Sequence, residues 1–302
     1  MPVIEVDHLR KRYRDHVAVH DVSLSIEPGE IFGVCGRNGA GKTTTVECIG
    51  GLRAPDGGTV SVLGLDPVRD RAALRQELGI QLQASELPDR MRVREAVELF
   101  AAFYSDPADP DELLERWGLT AKRKAAFGKL SGGQKQRLSI VLALIGNPEV
   151  VILDELTTGL DPQARRDTWA SIEQIRDTGV TVVLVTHFME EAERLCDRIA
   201  VIDAGRVLAV GTPSGLIATV PGGQRLRFRP SAPFPDALLT DLPEVHSLQR
   251  TGAGVEVSGH GDLLQVVTSA LAGHQVVPAD LRLGQATLDD AFVALTGRPP
   301  GE

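Results

Sequence analysis

Long apolar runs are missing from this chain. No stretch approaches the roughly 20 residues needed to cross a bilayer, so the sequence predicts no transmembrane helix. The opening Met1-Pro2-Val3-Ile4-Glu5-Val6 lacks a basic segment followed by an apolar core, and no secretory signal is expected. Cysteine is scarce: Cys35, Cys48 and Cys196 are too few and too scattered for a disulfide framework or a zinc site, and read as buried reduced thiols. There is no dense Lys/Arg run, and the net charge is −9, which argues against a nucleic-acid partner. No internal repeat and no sustained heptad pattern is evident, so the motifs described below form a single set.

What is present is ordinary in bulk and specific in detail. Hydrophobic residues at 42% and charged residues at 24% are those of a globular protein, and 302 residues give room for one large domain and a smaller second one. Residues 3–9 and 22–27 read as strands, with Pro28-Gly29 turning into the next element. The short run Ile31-Phe32-Gly33-Val34-Cys35 feeds directly into a glycine-rich loop, and a helix is expected from Thr43 onward. The runs 150–153, 180–185 and 199–202 are apolar on both alternating faces, as in a largely parallel sheet covered by helices on both sides. The segment 93–129 is polar and helix-rich, with Val93, Ala96, Val97, Phe100 and Ala101 at helical spacing and a break at Ser105-Asp106-Pro107. It reads as a helical subdomain inserted into the sheet domain. After Pro221-Gly222-Gly223, a linker-like stretch, short strands alternate with one or two helices. The last helix opens on a capping box, Thr287 with Asp290, and carries an apolar stripe of Leu288, Ala291, Phe292 and Leu295.

Three motifs carry chemistry. Gly36-Arg37-Asn38-Gly39-Ala40-Gly41-Lys42-Thr43 has the spacing of a phosphate-binding loop in the strand-to-helix context such a loop requires. Its glycines let backbone N–H groups face a phosphate, and the following helix points its positive end at the same place. Lys42 would reach the β- and γ-phosphates, and the Thr43 hydroxyl would ligate Mg²⁺, with Thr44 beside it. Val150-Val151-Ile152-Leu153-Asp154-Glu155 is an apolar strand ending in two acids; a Mg²⁺-bound water would supply the partner that Asp154 needs in so buried a place. Glu155, pointing the other way, is positioned to orient or deprotonate an attacking water. Between these two lies Leu130-Ser131-Gly132-Gly133-Gln134.

That order resembles the ATPase subunits of ATP-binding cassette (ABC) transporters over residues 3–220. The resemblance implies an α/β phosphate-loop NTPase fold with a mixed sheet core. It implies an ATPase domain over 1–220 with a helical subdomain at about 90–148, and a small α+β accessory domain over 221–302. It also carries roles onto matching positions. Tyr13 matches the aromatic residue that stacks on adenine. Gln83 matches the glutamine that touches Mg²⁺ and senses the membrane partner, although Gln81 stands two residues away. Ser131, Gly132, Gly133 and Gln134 match the signature that binds ATP held by a second subunit. Asp161, in Thr158-Gly159-Leu160-Asp161, matches the acid of the loop crossing the dimer interface, and His187 the histidine that contacts the γ-phosphate. Lys42, Glu155 and His187 are thereby the catalytic set; Thr43, Asp154 and Gln83 the metal set. One departure is Leu156, where the family usually has proline; both acids are kept.

Residues 156–166 and 287–298 resemble a bacterial subgroup in particular, the ATPases of two-component exporters of the daunorubicin-resistance type. The implied machine is a dimer, of this chain or with a similar one, using ATP and Mg²⁺ at the cytoplasmic face of the membrane and driving a separate integral-membrane permease. An importer subunit is an alternative. A soluble ribosome-acting ABC protein would carry two cassettes and a basic surface, and a repair ATPase would be split by a long coiled coil; neither feature is present.

Overall fold

In the computed structural model, residues 1–82, 87–220, 222–252 and 254–297 are described. The chain divides at Pro213/Ser214 into two units, each taken by itself; the boundary expected from sequence lies at 220/221.

The first unit is built on one nine-stranded sheet with the order β4-β1-β2-β9-β8-β3-β7-β6-β5. Its antiparallel part is the long hairpin β1 (Ile4–Tyr13) and β2 (His16–Ile26), with β4 (Gly57–Val62) on its outer edge. Its parallel part comprises β3 (Ile31–Cys35), β5 (Leu78–Gln81), β6 (Val150–Asp154), β7 (Thr181–Thr186) and β8 (Arg198–Asp203). Strand β9 (Arg206–Gly211) returns antiparallel to β8 and meets β2 through the single pair Asp21–Arg206. The two parts differ in burial as their sequences predict. Every residue of β3, β6 and β7 is buried, whereas β1 alternates irregularly between buried and exposed positions.

Helices follow from local signals. α1 (Lys42–Ile49) springs from the glycine-rich loop, and α2 (Arg71–Glu77) leads into β5. In the inserted segment, α3 (Val93–Ala101) buries Val93, Ala96, Val97 and Ala101. α4 (Pro110–Arg116) starts on Pro110, and its cap Asp109 accepts from the N–H groups of Asp111 and Glu112. The expected break at 105–107 falls between these two helices. α5 (Gly132–Leu144), α6 (Pro162–Asp177) and α7 (Met189–Leu195) complete the unit. All three cysteines are buried and free. No helix among the described residues is long and apolar enough to cross a membrane.

Next come α8 (Pro213–Ala218) and a four-stranded antiparallel sheet of order β11-β12-β10-β13. Its strands are β10 (Gln224–Pro230), β11 (Val245–Thr251), β12 (Gly254–Gly259) and β13 (Pro278–Gln285). The short α9 (Ala237–Thr240) and the longer α10 (Leu263–Gly273) accompany them. The core gathers Leu226, Phe228, Val255 and Val257 against Leu263, Val267 and Leu271 of α10. α11 (Leu288–Thr296) begins at the capping box: Thr287 N–H donates to Asp290 at 2.8 Å, and Leu288, Ala291 and Phe292 are buried while Leu295 is half-buried.

Candidate functional site

The loop between β3 and α1 is shaped by contacts that only glycine permits. At Gly36 an added Cβ would lie 2.2 Å from the Ile202 carbonyl oxygen. At Gly41, where φ is +99°, it would lie 2.4 Å from the carbonyl oxygen of Ala18. The Ala40 carbonyl accepts from Gly205 N–H at 2.9 Å, so the loop is held from behind by the β8–β9 turn. Lys42, 4% exposed, folds back into the loop and donates to the Gly36 carbonyl at 2.9 Å and that of Arg37 at 3.0 Å. Burial pushes its pKa down, opposed by the negative charges of Glu155 and Asp154.

At the end of β6, Asp154 is completely buried and Thr43 donates to its Oδ2 at 3.2 Å. Its Oδ1 has no partner among the described residues. Burial raises the Asp154 carboxyl to about 6. The next residue, Glu155, turns into the left-handed region with φ of 49°, a conformation that costs a non-glycine residue of order 1–3 kcal/mol. It is held there by its N–H donating to the Val185 carbonyl at 2.9 Å. Its Oε1 lies 3.2 Å from His187 Nδ1 and 3.8 Å from Lys42 Nζ. His187 follows β7 directly, and its ring packs on Phe188 at 4.1 Å between centroids.

Half of the sequence-derived residues share one cavity of about 540 Å³. Tyr13, Asn38, Gly39, Gly41, Lys42, Thr43, Thr44, Glu155 and His187 all line it. Tyr13 stands at the end of β1, half-buried, with Lys11 Nζ 5.6 Å from its ring. Gly36 and Ala40 lie behind the lining as backbone supports. Sequence reasoning missed His16 and Ala18, which join the same wall from β2. The signal for them was the hairpin itself, which returns the chain past Tyr13.

Ser131, Gly132, Gly133, Gln134 and Asp161 are not in that lining. Ser131 and Gln134 cap α5 reciprocally: Ser131 N–H donates to Gln134 Oε1 at 3.1 Å, and Ser131 Oγ accepts from Gln134 N–H. Asp161 caps α6, accepting from the N–H groups of Gln163 and Ala164 at 3.0 and 2.9 Å. Added Cβ atoms at Gly132 and Gly133 would meet nothing nearer than 3.8 Å. Gln83 lies outside the described residues. Its neighbour Gln81 ends β5, where its amide donates to the Leu82 carbonyl at 2.8 Å and its buried Oε1 has no partner among the described residues. Leu156 is fully buried.

Comparison with known proteins agrees with this geometry. The ABC transporter family model matches residues 19–158. The chain is 40% identical over 305 residues to the Nod factor export ATP-binding protein I of Paraburkholderia xenovorans, covering 98% of this chain and 97% of that protein. The chain belongs to the ATP-binding subunits of ABC transporters. A second ABC relative, the daunorubicin resistance ATP-binding protein DrrA3 of Streptomyces coeruleorubidus, is 38% identical over 97% of this chain and 96% of its own length. Among solved structures, an ATP binding subunit of an ABC transporter superposes with a TM-score of 0.64 at 28% identity, covering 72% of this chain and 92% of that one. CbiO1 of Clostridium perfringens, described as part of the ABC transporter complex cbiONQ, gives 0.65 at 27% identity over 72% and 91%. As an ABC ATPase this chain binds and hydrolyses ATP. Subunits of this family dimerise and work with membrane permeases.

Proposed function

We propose that two copies of this chain close around two ATP molecules at the cytoplasmic face of the membrane and drive export through a separate permease. Each ATP would lie between the phosphate loop of one copy and the Ser131–Gln134 segment of the other. The convergence of Lys42, Glu155 and His187 on one cavity carries this reading, because phosphoryl transfer is catalysed chiefly by positioning and by charge placed at the γ-phosphate. Lys42 binds the β- and γ-phosphates, Glu155 takes up the proton of the attacking water, and His187 holds Glu155 in line and contacts the γ-phosphate. Tyr13 offers its ring to adenine.

The buried, unpartnered Oδ1 of Asp154 beside the Thr43 hydroxyl fits a hard cation with oxygen ligands, as Mg²⁺ requires. Thr43 and Asp154 would hold it with Gln83, and the ion would neutralise charge on the phosphates. Gly132 and Gly133 leave their backbone open at a helix N-terminus, where a partner's phosphate can approach the N–H groups. Leu99 and Phe103, 45% and 65% exposed in the helical insert, give the permease an apolar footing. Export follows the activity named for the Paraburkholderia relative.

Replacement of Glu155 by glutamine tests the site. ATP turnover should fall about 10³-fold, while ATP-dependent dimerisation in sedimentation should become stronger because the closed state no longer resolves. Normal turnover would remove Glu155 from its role, and a monomer at every protein concentration would remove the dimer.

A further inference from the structure

Glu191 is completely buried in α7, yet nothing in the proposed chemistry uses it. A carboxylate so placed is costly unless its oxygens find donors. One does: Trp169, on α6, donates its indole N–H to Glu191 Oε1 at 3.0 Å. Two threonines that border the catalytic residues in sequence also act on the carboxyl group. Burial pushes the Glu191 carboxyl up, opposed by hydrogen bonding from Thr186, Thr157 and Trp169 and by the Arg165 charge. Thr157 Oγ1 and Glu191 Oε2 are both buried, and neither has a hydrogen-bond partner among the described residues. Thr186 Oγ accepts from Phe188 N–H at 3.0 Å, which leaves its own proton available to the carboxyl group.

These four residues come from four segments. Thr157 lies two residues after Glu155. Thr186 immediately precedes His187. Trp169 belongs to the helix that Asp161 caps, and Glu191 to the helix that begins two residues after His187. The same joint is closed above by Phe188, which packs on His187 and lies 4.5 Å beneath the Arg165 guanidinium. A displacement of α6 at its Asp161 end therefore has a polar route to the Glu155–His187 pair that does not pass through the phosphate loop.

We infer that Glu191 is a positioning residue: it locks α6 to the two loops carrying Glu155 and His187, so that movement of the Asp161 loop sets the alignment of that pair. The inference rests on the roles proposed for Glu155 and His187, and it differs from them in its signature. Loss of Glu191 should lower turnover without weakening ATP binding, since Lys42 and its carbonyl partners are untouched.

The test compares Glu191→Gln, Trp169→Phe and Glu155→Gln in the full chain. Glu191→Gln keeps shape and removes charge; kcat should fall at least tenfold while KM for ATP and the thermal midpoint stay near those of the parent. Trp169→Phe, which removes only the indole N–H, should give a smaller fall of the same kind. In a Trp117→Phe background Trp169 is the sole tryptophan, and its emission should respond to ATP with Glu191 present and cease to respond in Glu191→Gln. Should Glu191→Gln fail to fold, Trp169→Phe decides by the same split. The inference is overturned if both variants keep kcat within twofold, or if kcat and ATP affinity decline together. A dead Glu155→Gln beside a normal Glu191→Gln would sink this inference alone; an active Glu155→Gln would sink the reading beneath it.

Discussion

A methyl group at Gly36 or Gly41 would press within 2.4 Å of a backbone carbonyl of the same chain, whereas at Gly132 or Gly133 it would find open space out to 3.8 Å. The phosphate-loop glycines are thus accounted for by their own fold. The other two open a helix, and among the described residues neither a positive φ nor a close approach requires glycine there. On the proposed reading, one half of the nucleotide site is complete in a single copy, while the other half is shaped for something outside it. In the proposed dimer that something is the ATP of the partner.

The sharpest way to break this contrast is to fill both kinds of glycine. Gly41→Ala, which meets a carbonyl and a positive φ at once, should abolish ATP binding and lower the thermal midpoint by several degrees, consistent with about 2 kcal/mol or more of strain. Gly133→Val should leave the fold and ATP binding by the free chain intact, yet reduce turnover at least 100-fold by blocking backbone approach. Calorimetry, nucleotide titration and steady-state ATPase assays check both. Equal destabilisation by the two substitutions would erase the distinction.

A smaller effect concerns charge. The Asp154 carboxyl is raised to about 6 in the folded protein by burial, above its ordinary 3.8. The folded state therefore prefers it protonated, and the associated stability is full below pH 4 and lost as pH rises through 6. Ionisation near pH 8 costs at most about 3 kcal/mol, taking roughly two pH units at 1.36 kcal/mol each. Metal-free Asp154→Asn should accordingly melt several degrees above the parent at pH 8 and at the same temperature near pH 4. Magnesium affinity of the parent should weaken below pH 6, because the ligand must be ionised. A melting difference independent of pH would contradict the assignment. The mildest change is at Tyr13: Tyr13→Ala should raise KM for ATP about tenfold, and Tyr13→Phe hardly at all, if the ring face is what adenine uses.

How legible each part was follows from its physics. β3, β6 and β7 are buried on both faces and stand out as unbroken apolar runs. The hairpin does not, because β1 and β2 extend to Tyr13 and from His16, well past the expected 3–9 and 22–27. Register shifts after Val6, Leu9 and Lys11 break the period-two alternation that would mark those residues as strand. The phosphate loop and Asp154-Glu155 were readable because their spacing is itself the chemistry. Glu191 was not: it follows Glu190 in a helix's first turn, where acids ordinarily face solvent, and only tertiary packing against Trp169 and Thr186 reveals that it points inward. Asp161 was expected at an interface; the fold also uses it as the cap of α6, a local role that its Asp-Pro setting already allowed.

The central claim is that a competent site takes Lys42 from one copy and Gly133 from the other. Mixing Lys42→Ala and Gly133→Val chains tests it directly. Each variant alone spoils both sites of its dimer, but a mixed dimer keeps one site with an intact loop and an intact signature. An equimolar mixture should recover roughly a quarter of parental ATPase activity if chains pair at random and sites turn over independently. A mixture no more active than the two variants measured apart would contradict the claim.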